Sequence, residues 1–351
     1  MLRRILLAPF ALLYSTVLRL RHWLYDRSFL KSEQLPIPTI VVGNLALGGT
    51  GKTPHVELVL RILEATSPIA TLSRGYGRKG IALREIRPNE RPEISGDEPL
   101  QLKLKFPSAR VFVGVDRVHA IRSMRQLVPE LKAVVLDDAF QHRKLDASLN
   151  ILLTKFDRPW NRDRLLPAGS LRDLPSRSNA AQVVIVTKCP ALPSKEQIQK
   201  WRSDLHLSSD QQLFFSAIEY GPPKRIEDDG TIDLQTTPNV LLVTAIADPA
   251  PLVQHLRSFA SRIEHVAFRD HHYFTPHDLR RLQERWSRFA PDRKVLVTTE
   301  KDAVRLRPHI AAGHLSGISI AVIGMRAVIL NDPDRFSALI KEHVAKDPAH
   351  S

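Results

Sequence analysis

The residues of this chain that most directly predict a chemistry form a glycine loop between an apolar stretch and a helix-like segment. The apolar stretch is 38–42 and the helix-like segment is 54–65. The loop between them contains Gly48, Gly49, Thr50, Gly51, Lys52 and Thr53. Glycines let backbone N–H groups surround an anion, and a helix N-terminus attracts negative charge. The pattern predicts a nucleoside triphosphate site in which Lys52 reaches the phosphates and Thr53 offers a hydroxyl to Mg²⁺.

The loop departs from the strict phosphate-loop pattern at one position, because Ala46 stands where the first glycine is expected. The context still favours a phosphate site. Pro54 falls in the first helical turn, where proline is tolerated, and Val56, Val59 and Leu63 follow at helical spacing. A plain glycine turn between a strand and a helix is the alternative interpretation.

A second short apolar run, 133–136, ends in the two carboxylates Asp137 and Asp138. A continuous apolar run is typical of a buried parallel strand. Carboxylates at the end of such a strand, beside a phosphate loop, commonly complete a magnesium site. We therefore expect Asp138 and Asp137 at the metal, although a solvated strand end would have the same sequence.

The segment 95–98 supports two interpretations that are compatible with each other. Ser95 and Glu98 have the spacing of a helix capping box. This pairing would leave Asp97 free to act as a general base at the start of the helix. His271 lies in a polar segment after an apolar run, and a histidine beside a carboxylate can tune a base or carry a proton. A surface loop is the alternative for His271.

Two other stretches match known motifs only in part. Residues 75–80 fit G-x-G-x-x-G, but the following residues alternate like a strand, whereas the dinucleotide motif requires a helix there. Thr187 and Lys188 match part of a guanine-reading sequence and lack its acidic residue. Nothing in the chain selects guanine, so the expected cofactors are ATP and Mg²⁺.

The composition favours anionic partners. The chain has 351 residues and a formal net charge of +14, which suits nucleic acid, an anionic membrane surface or a phosphorylated substrate. Its basic residues are dispersed and no nucleic-acid-binding motif is found, so we expect no nucleic acid partner. The single cysteine, Cys189, excludes a disulfide framework and a cysteine-based zinc cluster.

An uncharged N-terminal run, 5–18, is bracketed by the arginines Arg3, Arg4, Arg19 and Arg21. As a helix this run would be about 21 Å long, shorter than the ~30 Å hydrocarbon core of a bilayer. Flanking arginines and the nearby Trp23 suit a helix that lies in the membrane interface. A core helix in a soluble protein is the alternative.

Apolar strand candidates alternate with helical segments along the rest of the chain, which predicts a doubly wound α/β fold. A stretch rich in proline, glycine and charge at 220–230 indicates a linker. We expect an N-terminal membrane-associating helix at 1–30 and a phosphate-loop domain at 31–220. A smaller α/β domain at 231–330 and a C-terminal helix and tail at 331–351 would follow.

Longer motifs follow one another in order at 43–54, 72–78, 96–99, 135–143, 164–169 and 298–306. Together they resemble the tetraacyldisaccharide 4'-kinase family, the lipid A 4'-kinases of Gram-negative bacteria. The run from Asp137 to Arg143 is the most specific of them. The chain departs from the family pattern at Ala139, where glycine is common, and at Asp173, where glutamate is common. Proline is also frequent in the family before Leu171.

The resemblance implies transfer of the γ-phosphate of ATP to the 4'-hydroxyl of tetraacyldisaccharide 1-phosphate, an anionic lipid. It implies two α/β/α sandwich domains joined by a short β linker, the first with a P-loop NTPase-like parallel sheet. The N-terminal helix would associate with the membrane. The enzyme would act at the cytoplasmic face of the inner membrane, as a peripheral protein or with a single N-terminal anchor, and no oligomer is required.

The resemblance also implies roles for single residues. Lys52 would hold the phosphates, and Asp97 would take the proton of the sugar hydroxyl while His271 tunes it. The implied metal-site residues are Thr53, Asp138, Asp137 and Glu98. The implied phosphate or nucleotide contacts are Arg117, Gln141 and Arg172.

A partition-type ATPase, which is a membrane-associated switch with a phosphate loop, is the alternative function. Such proteins carry an extra lysine in the loop, just before the two glycines. Leu47 occupies that position here, which favours the kinase.

Overall fold

The computed structural model describes residues 7–75, 78, 80, 82–237, 239–289 and 293–346. Within these residues, nine strands form a first sheet and five strands form a second sheet. The strands of the first sheet are β1 (Thr39–Asn44), β2 (Ile69–Ser73), β3 (Arg84–Glu85), β4 (Arg110–Val113), β5 (Ala133–Asp137), β6 (Leu149–Lys155), β7 (Val183–Thr187), β8 (Gln212–Tyr220) and β14 (Met325–Ile329).

The first sheet has the order β14-β8-β7-β6-β1-β5-β2-β4-β3. Its inner strands are parallel, and the two edge strands β3 and β14 run antiparallel to their neighbours. Every residue of β1, β5 and β7 is buried, which explains why these strands read as continuous apolar runs. The accompanying helices are α2 (Lys52–Leu63), α3 (Pro92–Ser95), α4 (Asp97–Lys105), α5 (Arg117–Leu127) and α6 (Lys195–Asp204).

Helices cover both faces of the first sheet. On one face, Val56 and Leu60 of α2 pack in the same apolar cluster as Ile40 of β1. On the opposite face, Ile121 of α5 packs in a cluster with Leu72 of β2. The sequence-based prediction of a mixed α/β fold with parallel sheets is therefore confirmed.

The second sheet has the order β11-β10-β12-β13-β9 and is parallel except for β9. Its strands are β9 (Lys224–Arg225), β10 (Asn239–Thr244), β11 (Arg262–Ala267), β12 (Lys294–Thr299) and β13 (Ile320–Ile323). Its helices are α7 (Ala250–Leu256), α8 (Pro276–Arg288) and α9 (Glu300–Ala311). Leu252 of α7 packs with Val240 on one face, and Leu279 of α8 packs with Leu241 on the other.

The two segments of the chain that connect the sheets lie side by side. The N–H of Gly221, directly after β8, donates to the carbonyl of Gly324, directly before β14, at 2.9 Å. β14 then pairs antiparallel with β8 along its whole length. The chain thus leaves the first sheet and re-enters it at the same edge.

The C-terminal part of the chain returns to the first sheet. After β14, helix α10 (Pro333–Ala345) buries Phe336 and Ile340 in a core of that sheet. The boundary predicted at 330 assigns β14 to the second unit, whereas β14 pairs with β8 of the first sheet. The partner of β14 lies far earlier in the chain, so no local pattern reveals this pairing.

Helix α1 (Ala8–Asp26) is present as predicted. Residues 1–6, which include Arg3, Arg4 and the first two residues of the uncharged run, lie outside the described residues. One side of α1 is fastened to the first sheet unit. The Tyr14 hydroxyl donates to the carbonyl of Arg172 at 2.8 Å, and His22 Nε2 lies 2.6 Å from Asp173 Oδ1. None of the helices in the described part of the chain has both the length and the apolar character that a bilayer crossing requires.

Candidate active site

A cleft of about 1200 Å³ lies where the two sheets approach each other. One wall consists of the glycine loop and of residues that follow strands of the first sheet, and the other consists of residues that follow strands of the second sheet. Ligands of open α/β sheets bind at these carboxyl ends of strands. The site residues from the sequence analysis all line this cleft: Gly48, Gly49, Thr50, Gly51, Lys52, Thr53, Asp97, Glu98, Arg117, Asp137, Asp138, Gln141, Arg172 and His271.

The glycine loop connects the end of β1 to the start of α2. Gly48, Gly49 and Gly51 have φ angles of +70°, +56° and +82°, which side chains rarely adopt. Gly51 is the N-cap of α2, and no side chain within the described residues caps this helix. The N–H groups of its first turn therefore remain available to an anion.

Two buried side chains support the loop from beneath. The Thr187 hydroxyl donates to the carbonyl of Thr50 at 2.9 Å. His55 Nδ1 lies 2.7 Å from the carbonyl of Gly51, and its Nε2 lies 2.9 Å from the Ser216 hydroxyl. Burial lowers the pKa of His55 to about 4, so this imidazole is neutral near pH 7 and fixes the loop through hydrogen bonds alone.

Asn44, the last residue of β1, connects the cationic side chains of the loop region. Its Oδ1 accepts from Lys52 Nζ at 3.3 Å and from Arg172 Nη2 at 2.6 Å. Its Nδ2 donates to the Thr50 hydroxyl at 2.9 Å, and its carbonyl accepts from Gln141 Nε2 at 2.8 Å. Asn44 lies within the motif at 43–54, but its position in the sequence alone predicts no role for it. The signal that could have identified it is an amide that ends an otherwise apolar strand.

The two carboxylates at the end of β5 have different partners. Arg172 holds Asp138 with both guanidinium ends: Nη1 donates to Oδ2 at 2.9 Å, and Nη2 contacts Oδ1. Lys52 Nζ lies 3.8 Å from Asp138 Oδ1. Burial would raise the pKa of Asp138, but Arg172 and Lys52 hold it below its usual range. Oδ1 of Asp137, in contrast, is buried and has no hydrogen-bond partner among the described residues.

The surroundings of Asp137 fit a cation. Burial and the negative charges of Glu98 and Asp138 raise the pKa of Asp137 to about 7. The described ranges contain no group of three or more His, Cys, Asp or Glu side chains arranged to hold a metal ion. Mg²⁺ commonly takes one or two carboxylates and completes its shell with substrate phosphates and water. Asp137 and Thr53 line the same cleft, so the residues present fit such a site.

Arg117 begins α5 and is buried at the cleft. Its Nη1 donates to the carbonyls of Gly114 at 3.2 Å and Val115 at 2.7 Å. Burial and the charge of Arg74 lower its pKa, although an arginine stays protonated near neutral pH. Arg117 thus adds a guanidinium to the cleft beside those of Arg74 and Arg172.

Asp97 begins α4, and its side chain is only 5% exposed. Its Oδ1 accepts from the N–H of Glu98 at 3.0 Å. Its Oδ2 lies 3.0 Å from His271 Nδ1 and also contacts Arg305 Nη2. Burial would raise the pKa of Asp97, but the His271 hydrogen bond and the charges of Arg305 and Lys301 hold it well below its usual range. Asp97 is therefore ionised at neutral pH.

The capping box predicted for 95–98 is wrong. Gly96, with a φ of +84°, is the N-cap of α4, and no side chain in the described residues caps this helix. The Ser95 hydroxyl instead donates to the carbonyl of Arg91 at 3.0 Å, because Ser95 ends the preceding helix α3. The Glu98 carboxylate accepts from Lys301. The spacing alone would place Ser95 at the start of the helix that contains Glu98. The positive φ of Gly96 instead divides this segment into the end of α3 and the start of α4.

Lys301 defines the tautomer of His271. Its Nζ donates to Glu98 Oε1 at 3.0 Å, to Asp270 Oδ1 at 3.3 Å and to His271 Nε2 at 3.2 Å. An ammonium only donates, so Nε2 is the accepting nitrogen and the ring proton is assigned to Nδ1. The Nδ1–H then points at Asp97. In this arrangement His271 donates to the carboxylate of Asp97.

Lys301 and Arg305 are site residues that the sequence analysis missed. They lie four residues apart on α9 and therefore share one face of that helix. A cationic pair in the first turns of a helix, directly after a strand, was the available signal. The sequence could not show which carboxylates these side chains meet.

Comparisons with known proteins show the family to which the chain belongs. The family model for "Tetraacyldisaccharide-1-P 4'-kinase" matches residues 3–345. Tetraacyldisaccharide 4'-kinase of Parabacteroides distasonis is 40% identical over 358 residues, covering 97% of this chain and 94% of that protein. The enzyme of the same name from Bacteroides thetaiotaomicron is 37% identical over 358 residues, covering 98% and 94%.

A solved structure of the "apo" form of LpxK from Aquifex aeolicus in complex with ATP is similar throughout. The TM-score is 0.73 at 26% identity, with 98% of this chain and 100% of that chain covered. The family model and the two relatives span nearly the whole sequence, and they indicate the same family as this structural similarity does. The chain therefore belongs to the tetraacyldisaccharide 4'-kinase family.

Proposed function

We propose that this chain transfers the γ-phosphoryl group of ATP to the 4'-hydroxyl of tetraacyldisaccharide 1-phosphate, a lipid A precursor. The observation that carries the proposal is that the ionised Asp97 and the glycine loop with Lys52 line one cleft. A kinase needs a phosphate cradle and an acceptor for the hydroxyl proton in the same cavity. The names of the relatives support the acceptor, and the ATP in the solved relative supports the donor.

The glycine loop, Lys52 and the nearby arginines would bind the triphosphate. Loop N–H groups and the start of α2 meet the phosphate oxygens, and Lys52 adds a charge that Asn44 orients. When bound, Mg²⁺ neutralises charge on the phosphates. We assign Asp137 and Thr53 as its protein ligands, because Asp137 has the unpartnered oxygen. Asp138 and Glu98 lie close by and are engaged by Arg172 and Lys301.

Asp97 would accept the proton of the sugar hydroxyl as the new O–P bond forms. Its lowered pKa makes it a weak base toward an alcohol. Proton transfer is therefore expected late, when bond formation has acidified the hydroxyl. The donor from His271 keeps the carboxylate oriented while the reaction proceeds.

An Asp137→Asn variant should bind the metal more weakly. The amide keeps the shape of the side chain but removes the charge that the cation would meet, and we expect roughly 10- to 100-fold weaker Mn²⁺ binding. The measurement is Mn²⁺ titration by electron paramagnetic resonance, with a non-hydrolysable ATP analogue present. Asp157→Asn, which changes an exposed carboxylate after β6, is the control. Unchanged Mn²⁺ affinity in Asp137→Asn would remove Asp137 from the metal site.

The outer face of α1 supports association with a membrane surface. Large apolar side chains with more than half of their surface exposed follow one another on this helix: Phe10, Leu12, Leu13, Val17 and Leu20. Four of them are spaced three or four residues apart, which aligns them along the helix. We propose that this face lies in the cytoplasmic leaflet of the inner membrane and that no oligomer is needed for activity.

Acidic substitutions on this face should release the chain from lipid. Burying a leucine contributes about 1.5–3 kcal/mol, and about 1.4 kcal/mol is tenfold in affinity. Leu13→Glu combined with Leu20→Glu should therefore abolish co-sedimentation with anionic phospholipid vesicles. The matched control combines Leu127→Glu with Leu192→Glu, two leucines that are exposed elsewhere by 63% and 50%. Equal losses in both pairs would argue against a specific lipid-binding face.

The experiment that tests the function is transfer of labelled γ-phosphate from ATP to tetraacyldisaccharide 1-phosphate in detergent micelles. Product that depends on Mg²⁺ supports the kinase. ATP binding without product would favour the partition-type switch or another acceptor. The position of Leu47, where those switches carry a lysine, already counts against that alternative.

A further inference from the structure

We infer that Arg305 is a positioning residue for phosphoryl transfer, because it anchors the carboxylate of Asp97 to the second sheet unit. The inference rests on the proposed function, in which Asp97 accepts the hydroxyl proton. Arg305 lies on α9 and contacts Asp97 Oδ2 across the boundary between the two units. The Arg305 side chain is 1% exposed and that of Asp97 is 5% exposed.

The second unit fixes the guanidinium before it meets Asp97. Arg305 Nη1 donates to Asp302 Oδ1 at 3.0 Å and approaches the carbonyl of Ala245 at 3.4 Å. Asp302 is itself held, since its Oδ2 accepts from the N–H of Ala245 at 3.0 Å and from the Thr299 hydroxyl at 2.8 Å. The end of β12, the residue after β10 and the first turns of α9 thus define where the guanidinium lies.

Arginine suits this place better than lysine does. Its planar group can contact Asp302 with one nitrogen and Asp97 with the other. A lysine would present a single nitrogen, which would have to bridge both carboxylates and could not hold each with its own donor in a fixed plane. The geometry therefore gives Asp97 a cationic partner, whereas His271 contributes one ring nitrogen to the same oxygen.

A buried ion pair can also contribute to stability alone. A second ion pair between the same two helices provides a control that distinguishes a contribution to stability from the positioning of Asp97. Lys105 of α4 pairs with Glu300 of α9 at 2.6 Å, with both side chains 24% exposed. This pair also joins the units but does not contact Asp97. A change at Lys105 therefore removes this inter-unit ion pair together with the pair that Lys105 makes with the buried Glu57 of α2 at 2.8 Å, and it leaves the carboxylate of Asp97 with its own partners.

The test compares Arg305→Met, Arg305→Lys and Lys105→Met by steady-state kinetics, ATP binding and thermal unfolding. In the Arg305 variants we expect kcat to fall about 100-fold, with little change in the KM for the acceptor lipid or in the Kd for ATP. Lys105→Met should keep kcat within about threefold. A fourth variant, Arg305→Ala, vacates the site beside Asp97. Guanidinium ion added to this variant should restore part of kcat, because the ion can occupy that site.

Arg305→Lys keeps the charge and provides a folded variant if Arg305→Met does not fold. A kcat in the Arg305 variants equal to that of Lys105→Met would overturn the inference, as would losses that follow thermal stability alone. Wild-type protein is assayed first. Absence of product from the wild type would refute the proposed function, whereas a normal wild type with fully active Arg305 variants refutes only the role of Arg305.

Discussion

An Asp97→Asn variant should bind ATP nearly as the wild type does but transfer the phosphoryl group roughly 10²–10⁴ times more slowly. The amide cannot accept the hydroxyl proton, while the glycine loop and Lys52 remain intact. The measurements are kcat with the acceptor lipid and the Kd for ATP by calorimetry. Loss of ATP binding with normal turnover per bound ATP would contradict the assignment of Asp97 as the base.

Asp97→Asn should also lower stability, because it removes a counter-charge from the buried Arg305. Asp302 still pairs with that guanidinium, so we expect the free energy of unfolding to fall by roughly 1–3 kcal/mol. Asp97→Glu provides the comparison. It keeps the charge but displaces the carboxylate, so it should remain slow while recovering part of the stability. The two variants together separate the chemistry from the folding contribution.

A Lys52→Ala variant should lose both ATP affinity and turnover, with kcat lowered by about 10²–10³. Lys52 is oriented by Asn44 and faces Asp138, so its charge is directed at the phosphate site in the ground state and during transfer. The measurements are the Kd for ATP and single-turnover transfer at saturating ATP. Lys132→Ala, which changes an exposed lysine just before β5, is the control. A loss in affinity with unchanged single-turnover rate would limit Lys52 to binding.

The parts of the site that the sequence predicted are those encoded locally. The glycine loop, its lysine and the helix that follows are contiguous, and so are β5 and Asp137 at its end. Their side chains lie in one cleft because carboxyl ends of parallel strands share one edge of a sheet. Continuous apolar runs likewise identified the inner strands, since a buried parallel strand has no polar face.

The parts that the sequence did not predict depend on pairs that are distant in the chain. Asp97 and Arg305 are 208 positions apart, and neither segment has a feature that names the other. β14 reads as a strand only through its pairing with β8. The capping box failed for a different reason. The backbone of Gly96 takes a positive φ, and the letters Ser-Gly-Asp-Glu do not reveal where one helix ends and the next begins.

Helix α1 is attached to residues beside the nucleotide site, which affects how the activity of a chain without this helix can be interpreted. Tyr14 and His22 hold Arg172 and Asp173, and Arg172 in turn holds Asp138 beside the glycine loop. Deleting the helix would remove partners of the nucleotide site together with the apolar outer face. Inactivity of a truncated protein would therefore say nothing about its need for lipid. Only substitutions confined to the outer face separate attachment to a membrane from the integrity of the reaction centre.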